Sequence, residues 1–260
     1  MDGVTDWITD VTVSLFTQSL FTVKSGHFCY HLIHDSGKSQ KKMECQKPDV
    51  KPVLYSFFRS SSCWRVRIAL DFKEIDYEYK TCEWFYEEGQ KRAEYLKLNP
   101  MGEVPTLIID GNTLTQSLPI IEYLEETRPD KPLLPKDPVL RAKARALTEI
   151  INSGIQPLQN IRVEKKSGDS TWAKFWIEKG FTGLERALQE TAGRFSMGDS
   201  ISLPDVYLVP QVYRAKRVNV DMSKFPLISR IDSALSEVDA FKSAHALRQP
   251  DCPMKERLSS

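Results

Sequence analysis

Val53-Leu54-Tyr55-Ser56, followed by Ser60-Ser61-Ser62-Cys63-Trp64-Arg65-Val66-Arg67-Ile68-Ala69-Leu70, is the stretch on which the fold turns. The first run is short, apolar and strand-like, and the second carries Val66, Ala69 and Leu70 at core spacing with arginines between them, as a helix does. Three hydroxyls and a thiol therefore stand where a strand turns into a helix. Helix N-termini stabilise anions, so the place suits a thiolate. Serines are also good N-caps, and the local sequence alone leaves a purely structural cap open.

Downstream, the pattern continues as a second strand near Tyr77–Thr81 and an irregular helical stretch near Gly89–Leu98. Val104 to Leu114 then places two short apolar runs around Asp110-Gly111, a strong hairpin signal. A helix over Ser117–Thr127, with Ile120, Ile121 and Leu124 on one face, completes a βαβαββα unit. Prolines at 129, 132, 135 and 138 exclude helix interior between Arg128 and Pro138, which reads as an interdomain linker.

Beyond it no convincing strand occurs. Helical patterns cover Val139 to about Asn160 with a bend at Gly154 and Pro157, Thr171–Thr191, Pro204–Val218, and Pro226 to about Ala246 with a break. Ser202 and Asp205 have the spacing of a capping box, a folding role. The expected organisation is an extension over 1–50, a first domain over 51–130 and an all-helical domain over 131–260.

Composition narrows the function. The 260 residues are 41% apolar, enough for a substantial core, and 36 basic against 35 acidic residues give no electrostatic reason to expect nucleic acid. The cysteines, at 29, 45, 63, 82 and 252, are odd in number and form neither CxxC nor a paired His/Cys spacing. A reducing compartment without structural zinc or another metal site is expected. Val11 to Val23 is interrupted by Thr, Ser and Gln, too short to span a bilayer, and preceded by Asp2, Asp6 and Asp10, so neither a signal peptide nor a membrane partner is expected. No arginine precedes Arg59, which weighs against a mitochondrial presequence and leaves the cytoplasm as the default. Ser36–Val50 is polar and basic, and reads as a linker closing a weakly structured extension.

Several long motifs occur together in order. Tyr55-Ser56-Phe57-Phe58-Arg59-Ser60-Ser61-Ser62-Cys63-Trp64-Arg65-Val66-Arg67-Ile68-Ala69-Leu70 is joined by Asn99-Pro100, Val104-Pro105-Thr106, Gln116-Ser117-Leu118-Pro119-Ile120-Ile121-Glu122-Tyr123-Leu124-Glu125-Glu126-Thr127-Arg128-Pro129, Leu133-Leu134-Pro135, Gly154-Ile155-Gln156-Pro157-Leu158-Gln159-Asn160, Val209-Pro210-Gln211-Val212 and Arg248-Gln249-Pro250-Asp251. From about Lys51 to Asp251 the chain resembles the zeta class of the cytosolic glutathione transferases, the maleylacetoacetate isomerases. The resemblance implies a thioredoxin-like α/β first domain, an all-α second domain, glutathione as cofactor and a homodimer. It also implies isomerisation of maleylacetoacetate to fumarylacetoacetate in phenylalanine and tyrosine catabolism, with possible transfer to 2-halo acids.

Residue roles follow from the same resemblance. Ser60 matches the catalytic serine, with Ser61 and Cys63 as further catalytic candidates. Glutathione contacts are expected from Ser60, Ser61, Ser62, Cys63, Trp64, Arg65, Gln90, Val104, Pro105 in a cis bond, Gln116, Ser117, Gln156, Asn160, Ile161 and Arg162. Arg217, helped by Arg59, matches the docking group for a substrate carboxylate. The family usually reads Ser-Ser-Cys-x-Trp where this chain reads Ser-Ser-Ser-Cys-Trp, which puts Ser62 in the cysteine position and rotates Cys63 by about 100° around the helix. Two alternatives therefore stand beside the isomerase: a thiol transferase forming a mixed disulfide on Cys63, and a transferase-fold binding protein without turnover.

Overall fold

The hydroxyl-rich stretch becomes a helix start laid across a four-stranded sheet. The computed structural model describes the backbone of residues 19–24, 27–32, 50–82 and 90–258, with side chains over 50–82 and 92–258. Before residue 50 the described part is an antiparallel pair, β1 (Ser19–Lys24) and β2 (His27–Leu32), with Ser19 opposite Leu32. The expectations of a poorly ordered extension and of a linker over Ser36–Val50 otherwise fall outside the described residues.

From Val50 the chain forms its own unit. It runs β3 (Val53–Ser56), α1 (Ser61–Phe72), β4 (Glu78–Thr81), α2 (Gln90–Leu98), β5 (Thr106–Ile109), β6 (Asn112–Thr115) and α3 (Ser117–Thr127). The strand order is β4-β3-β5-β6, with β3 parallel to β4 and antiparallel to β5. The crossover helix α1 makes the parallel pair possible, because parallel neighbours need a long connection. Asp110 (φ 53°) and Gly111 (φ 75°) both take positive φ, the tight hairpin geometry that Asp-Gly favours between β5 and β6.

Helices make up the rest: α4 (Pro138–Asn152), α5 (Ile161–Ser167), α6 (Trp172–Leu188), α7 (Leu203–Arg217), α8 (Pro226–Ser236) and α9 (Asp239–Ser243). Leu54, Val66, Ile68, Leu70, Leu107 and Ile120 of the sheet layer share one continuous core with Ile151, Phe181, Val206 and Val212 of the helical region. At about 25 cal/mol per Å² of apolar surface, that shared core is the main term holding the helical region onto α1. The proline-rich connection is pinned by a buried ion pair. Lys73 Nζ meets Glu125 at 2.9 Å, and Glu125 accepts from the amides of Leu133 and Leu134. The capping box at the start of α7 is formed, with Ser202 N donating to Asp205 Oδ2 at 2.8 Å.

Two expectations needed correction. The helix expected to reach Asn160 ends at Asn152, and Gly154 follows in a turn so tight that a Cβ there would sit 2.6 Å from the Ile150 carbonyl oxygen. The separate helix α5, not anticipated, has no fully buried residue and so lacks an apolar face to give it a periodic signature. Among the described residues, no helix is long and apolar enough to cross a membrane.

Candidate active site

Ser60 is the N-cap of α1, in extended backbone, and its Oγ accepts from the Cys63 amide at 3.2 Å. With one lone pair so engaged, the hydroxyl can turn its proton from the Cys63 thiol to a neighbouring anion. Ser61 and Ser62 follow as the first two helical residues, half-exposed, with backbone amides that lack intrahelical partners by the geometry of any helix start. One hydroxyl donor, adjacent amides and the positive end of the helix dipole converge on one spot. Such a set lowers the pKa of a thiol by stabilising its charged form.

The loop leading into that spot is clamped from two sides. Buried Arg67 donates to Ser56 Oγ (3.1 Å), Phe58 O (3.2 Å) and Ala244 O (3.1 Å). Asp251 accepts from the Phe58 amide at 2.9 Å and from Tyr79 Oη at 2.7 Å. Sequence reasoning assigned neither residue a role. Asp251 stood inside a matched motif, but its partners lie 193 and 172 positions away, beyond any local signal.

A second edge of the site comes from the sheet. The Val104–Pro105 bond is cis, and Val104 is half-buried. Tyr55 pairs with Thr106 as the last pair of the antiparallel β3–β5 register, so Val104 lies just outside the paired strand. Its backbone can serve as a strand partner for an extended peptide. The third edge is the start of α3. Gln116 is exposed and holds φ 68°, ψ 130°, a strained setting for a residue with a side chain. Ser117 next to it is 5% exposed, and its Oγ accepts from Arg65 Nη1 at 3.3 Å.

Cys63 does not belong to this surface. Its thiol is fully buried, and burial pushes its pKa up despite the opposing Arg67 charge and the Ser60 hydrogen bond. That removes Cys63 as a thiolate nucleophile or a glutathione contact, because one step along the helix turns its side chain from the mouth into the core. Trp64 is likewise buried, packed edge-on against Tyr213 (5.2 Å) and His245 (4.8 Å), so it shapes the helix instead of meeting a ligand. Arg65 is 1% exposed and reaches the ligand side only through Ser117.

The remaining candidates divide. Gln90 opens α2, and its side chain lies outside the described residues. Gln156 is half-buried in the turn after α4. Asn160 caps α5, accepting from the Arg162 amide at 2.9 Å, while Ile161 and Arg162 are exposed on its first turn. Beside them Gln159 and Gln211 form a buried reciprocal amide pair (2.8 and 2.9 Å) that fixes this turn to α7. Arg217, exposed at the end of α7, lies 5.9 Å over the Tyr213 ring, which ties it to Trp64 of α1. Arg59 is not a free cation. It is ion-paired with Glu256 and stacks 5.0 Å over Phe58, and Glu256 is in turn held below the usual carboxylate range, chiefly by Arg59 and to a lesser degree by Lys255 and Arg217. No cluster of metal-ligating side chains occurs among the described residues.

This arrangement has close counterparts. Residues 54–132 match the family model of the glutathione S-transferase N-terminal domain. The chain is 52% identical over 211 residues to maleylacetoacetate isomerase of Rattus norvegicus, covering 80% of this chain and 98% of the relative. A zeta-class glutathione S-transferase of Euphorbia esula is 44% identical over 213 residues, covering 79% and 93%. Among solved structures, maleylacetoacetate isomerase from Anaeromyxobacter dehalogenans, crystallised with GSH bound in the active site, superposes with a TM-score of 0.71 at 45% identity, covering 78% and 98%. Identity of this order along nearly the full length of the relatives, on the same fold and helix start, makes the chain a member of the glutathione S-transferase family, in its zeta class of maleylacetoacetate isomerases.

Proposed function

We propose that the protein is a maleylacetoacetate isomerase that uses glutathione to convert maleylacetoacetate to fumarylacetoacetate in phenylalanine and tyrosine catabolism. The observation that carries this reading is the Ser60 hydroxyl at the α1 N-cap, which accepts from the Cys63 amide and can turn its proton to an incoming sulfur. Glutathione, when bound, supplies a thiolate that adds to the conjugated cis double bond, allows rotation about the resulting single bond, and leaves again as the trans alkene re-forms.

The residues of the chain do the rest. Ser60 and the first amides of α1 hold the sulfur as its anion. Val104 orients the peptide as an added strand, and Ser117 with the amides of α3 takes the γ-glutamyl carboxylate at a helix N-terminus. Arg217 docks a substrate carboxylate by a charge-assisted pair, and Arg59 contributes only after release from Glu256. On the same reading Gln156, Asn160, Ile161 and Arg162 reach the bound tripeptide from the helical region. The same reading makes the working form a cytoplasmic homodimer.

A thiol transferase acting through Cys63 is not favoured, because the thiol is buried. An isomerase assay decides the rest. Wild type should turn over maleylacetoacetate only with glutathione present, Ser60→Ala should lose about 100-fold or more in kcat, and Arg217→Ala should raise KM about tenfold. A wild type without glutathione-dependent isomerisation would refute the proposal.

A further inference from the structure

Arg65 is built into α1 at a cost that packing alone does not explain. It is 1% exposed, and its Nε and Nη2 are buried without a hydrogen-bond partner. Only Nη1 is engaged, donating to Ser117 Oγ (3.3 Å) and to Asn152 Oδ1 (3.0 Å), while the guanidinium lies 4.2 Å over the ring of Tyr207. Among the described residues no carboxylate forms an ion pair with it. Glu149, which accepts from Asn152 Nδ2 at 3.0 Å, lies near enough to favour the charge without forming an ion pair with it. The charge persists at neutral pH, since burial lowers the guanidinium pKa only to about 10. An apolar side chain of similar volume would join α1 to α7 without an unpaired buried charge.

The chemistry of the contact gives this charge a use. Guanidinium donates and never accepts, so Ser117 Oγ is the acceptor in their hydrogen bond. The one proton of Ser117 must then point elsewhere. Its other protein neighbour, Tyr207 Oη, stands at 3.5 Å, the limit of a hydrogen bond, while Ser117 is the first residue of α3 with free amides beside it. An anion arriving there meets an oriented O–H, helix-terminal amides and a buried positive charge that has no ion-pair partner among the described residues.

We propose that Arg65 is a positioning residue for glutathione: it fixes the Ser117 hydroxyl as a donor to the γ-glutamyl α-carboxylate. This rests on the glutathione reading above and adds a residue that never touches the ligand. It also makes binding selective for that one carboxylate of the tripeptide.

The test compares glutathione with 4-aminobutyryl-cysteinylglycine, the same tripeptide without the γ-glutamyl α-carboxylate, by calorimetry on folded proteins. Arg65→Gln should weaken glutathione about tenfold or more and the decarboxylated analogue less than about threefold. Arg65→Lys, which keeps the charge but not the fork, should fall between. Arg65→Gln combined with Ser117→Ala should be no more than about twofold worse than the poorer single variant, since both act on one contact. Equal losses for both ligands, or losses that multiply in the double variant, would overturn the proposal. If Arg65→Gln does not fold, the ratio of the two ligands in Arg65→Lys decides by the same criterion. A wild type that binds neither ligand would defeat the glutathione reading itself, a different result from loss of selectivity in the variants.

Discussion

Ser60 and Cys63 sit three positions apart and end in opposite environments. Ser60 stays half-exposed at the helix mouth, whereas the Cys63 thiol is sealed in the core where desolvation holds its proton on. Reactivity follows exposure and thiolate character, so the more nucleophilic atom is the less useful one. Cys63→Ala should keep isomerase kcat/KM within about threefold of wild type, and mass spectrometry after incubation with oxidised glutathione should find no adduct on Cys63. An adduct there would revive the thiol-transferase alternative. Gln116 states the other residue-scale lesson, a strained backbone retained beside a ligand edge. Gln116→Gly should relieve the strain and raise stability by about 1 kcal/mol while weakening glutathione binding. Thermal unfolding with and without glutathione measures both, and a less stable Gly variant would contradict the strain argument.

At the scale of elements, α1 is held by contacts from the far end of the chain. Arg67 and Asp251 brace the loop before it, and Trp64 packs against Tyr213 and His245. His245 also caps the short 3-10 turn Ala246–Arg248, its Nδ1 accepting from the Leu247 amide at 3.1 Å. That bond needs an unprotonated Nδ1, and burial, aided by the nearby charges of Arg248 and Arg67, lowers the imidazole pKa from 6.5 to about 4. The folded state therefore binds fewer protons than the unfolded chain between these values. Its contribution is fully present above pH 6.5 and is lost as pH falls toward 4, by about 1–2 kcal/mol after allowing for solvent screening of this half-buried ring. Urea unfolding across that window should show the decline, and His245→Gln should flatten it; an unchanged slope in the variant would contradict the assignment.

Across the whole molecule, legibility followed the range of the forces. Strand and helix periodicity, the Asp110-Gly111 turn and the proline-rich connection were visible because each depends on neighbours in sequence. So was the helix-start character of Ser60, Ser61 and Ser62. The orientation of Cys63, the Arg59–Glu256 pair and the Arg65–Ser117 contact were not, since each is settled by groups brought together only when the sheet and helices share a core. The helix α5 was missed for the complementary reason, that it buries nothing fully. In the assembled molecule the sheet layer supplies the anion-friendly start of α1 and the helical region fixes it in place, and on the proposed reading a thiol bound there loses its proton near neutral pH. The thiolate absorbance of the enzyme–glutathione complex, followed through a pH titration, measures this directly. The bound thiol should titrate at least about one pH unit below the ordinary thiol value near 8.5 in wild type and return toward that value in Ser60→Ala. A bound thiol that titrates like free glutathione in wild type, or equally low in both proteins, would contradict the account.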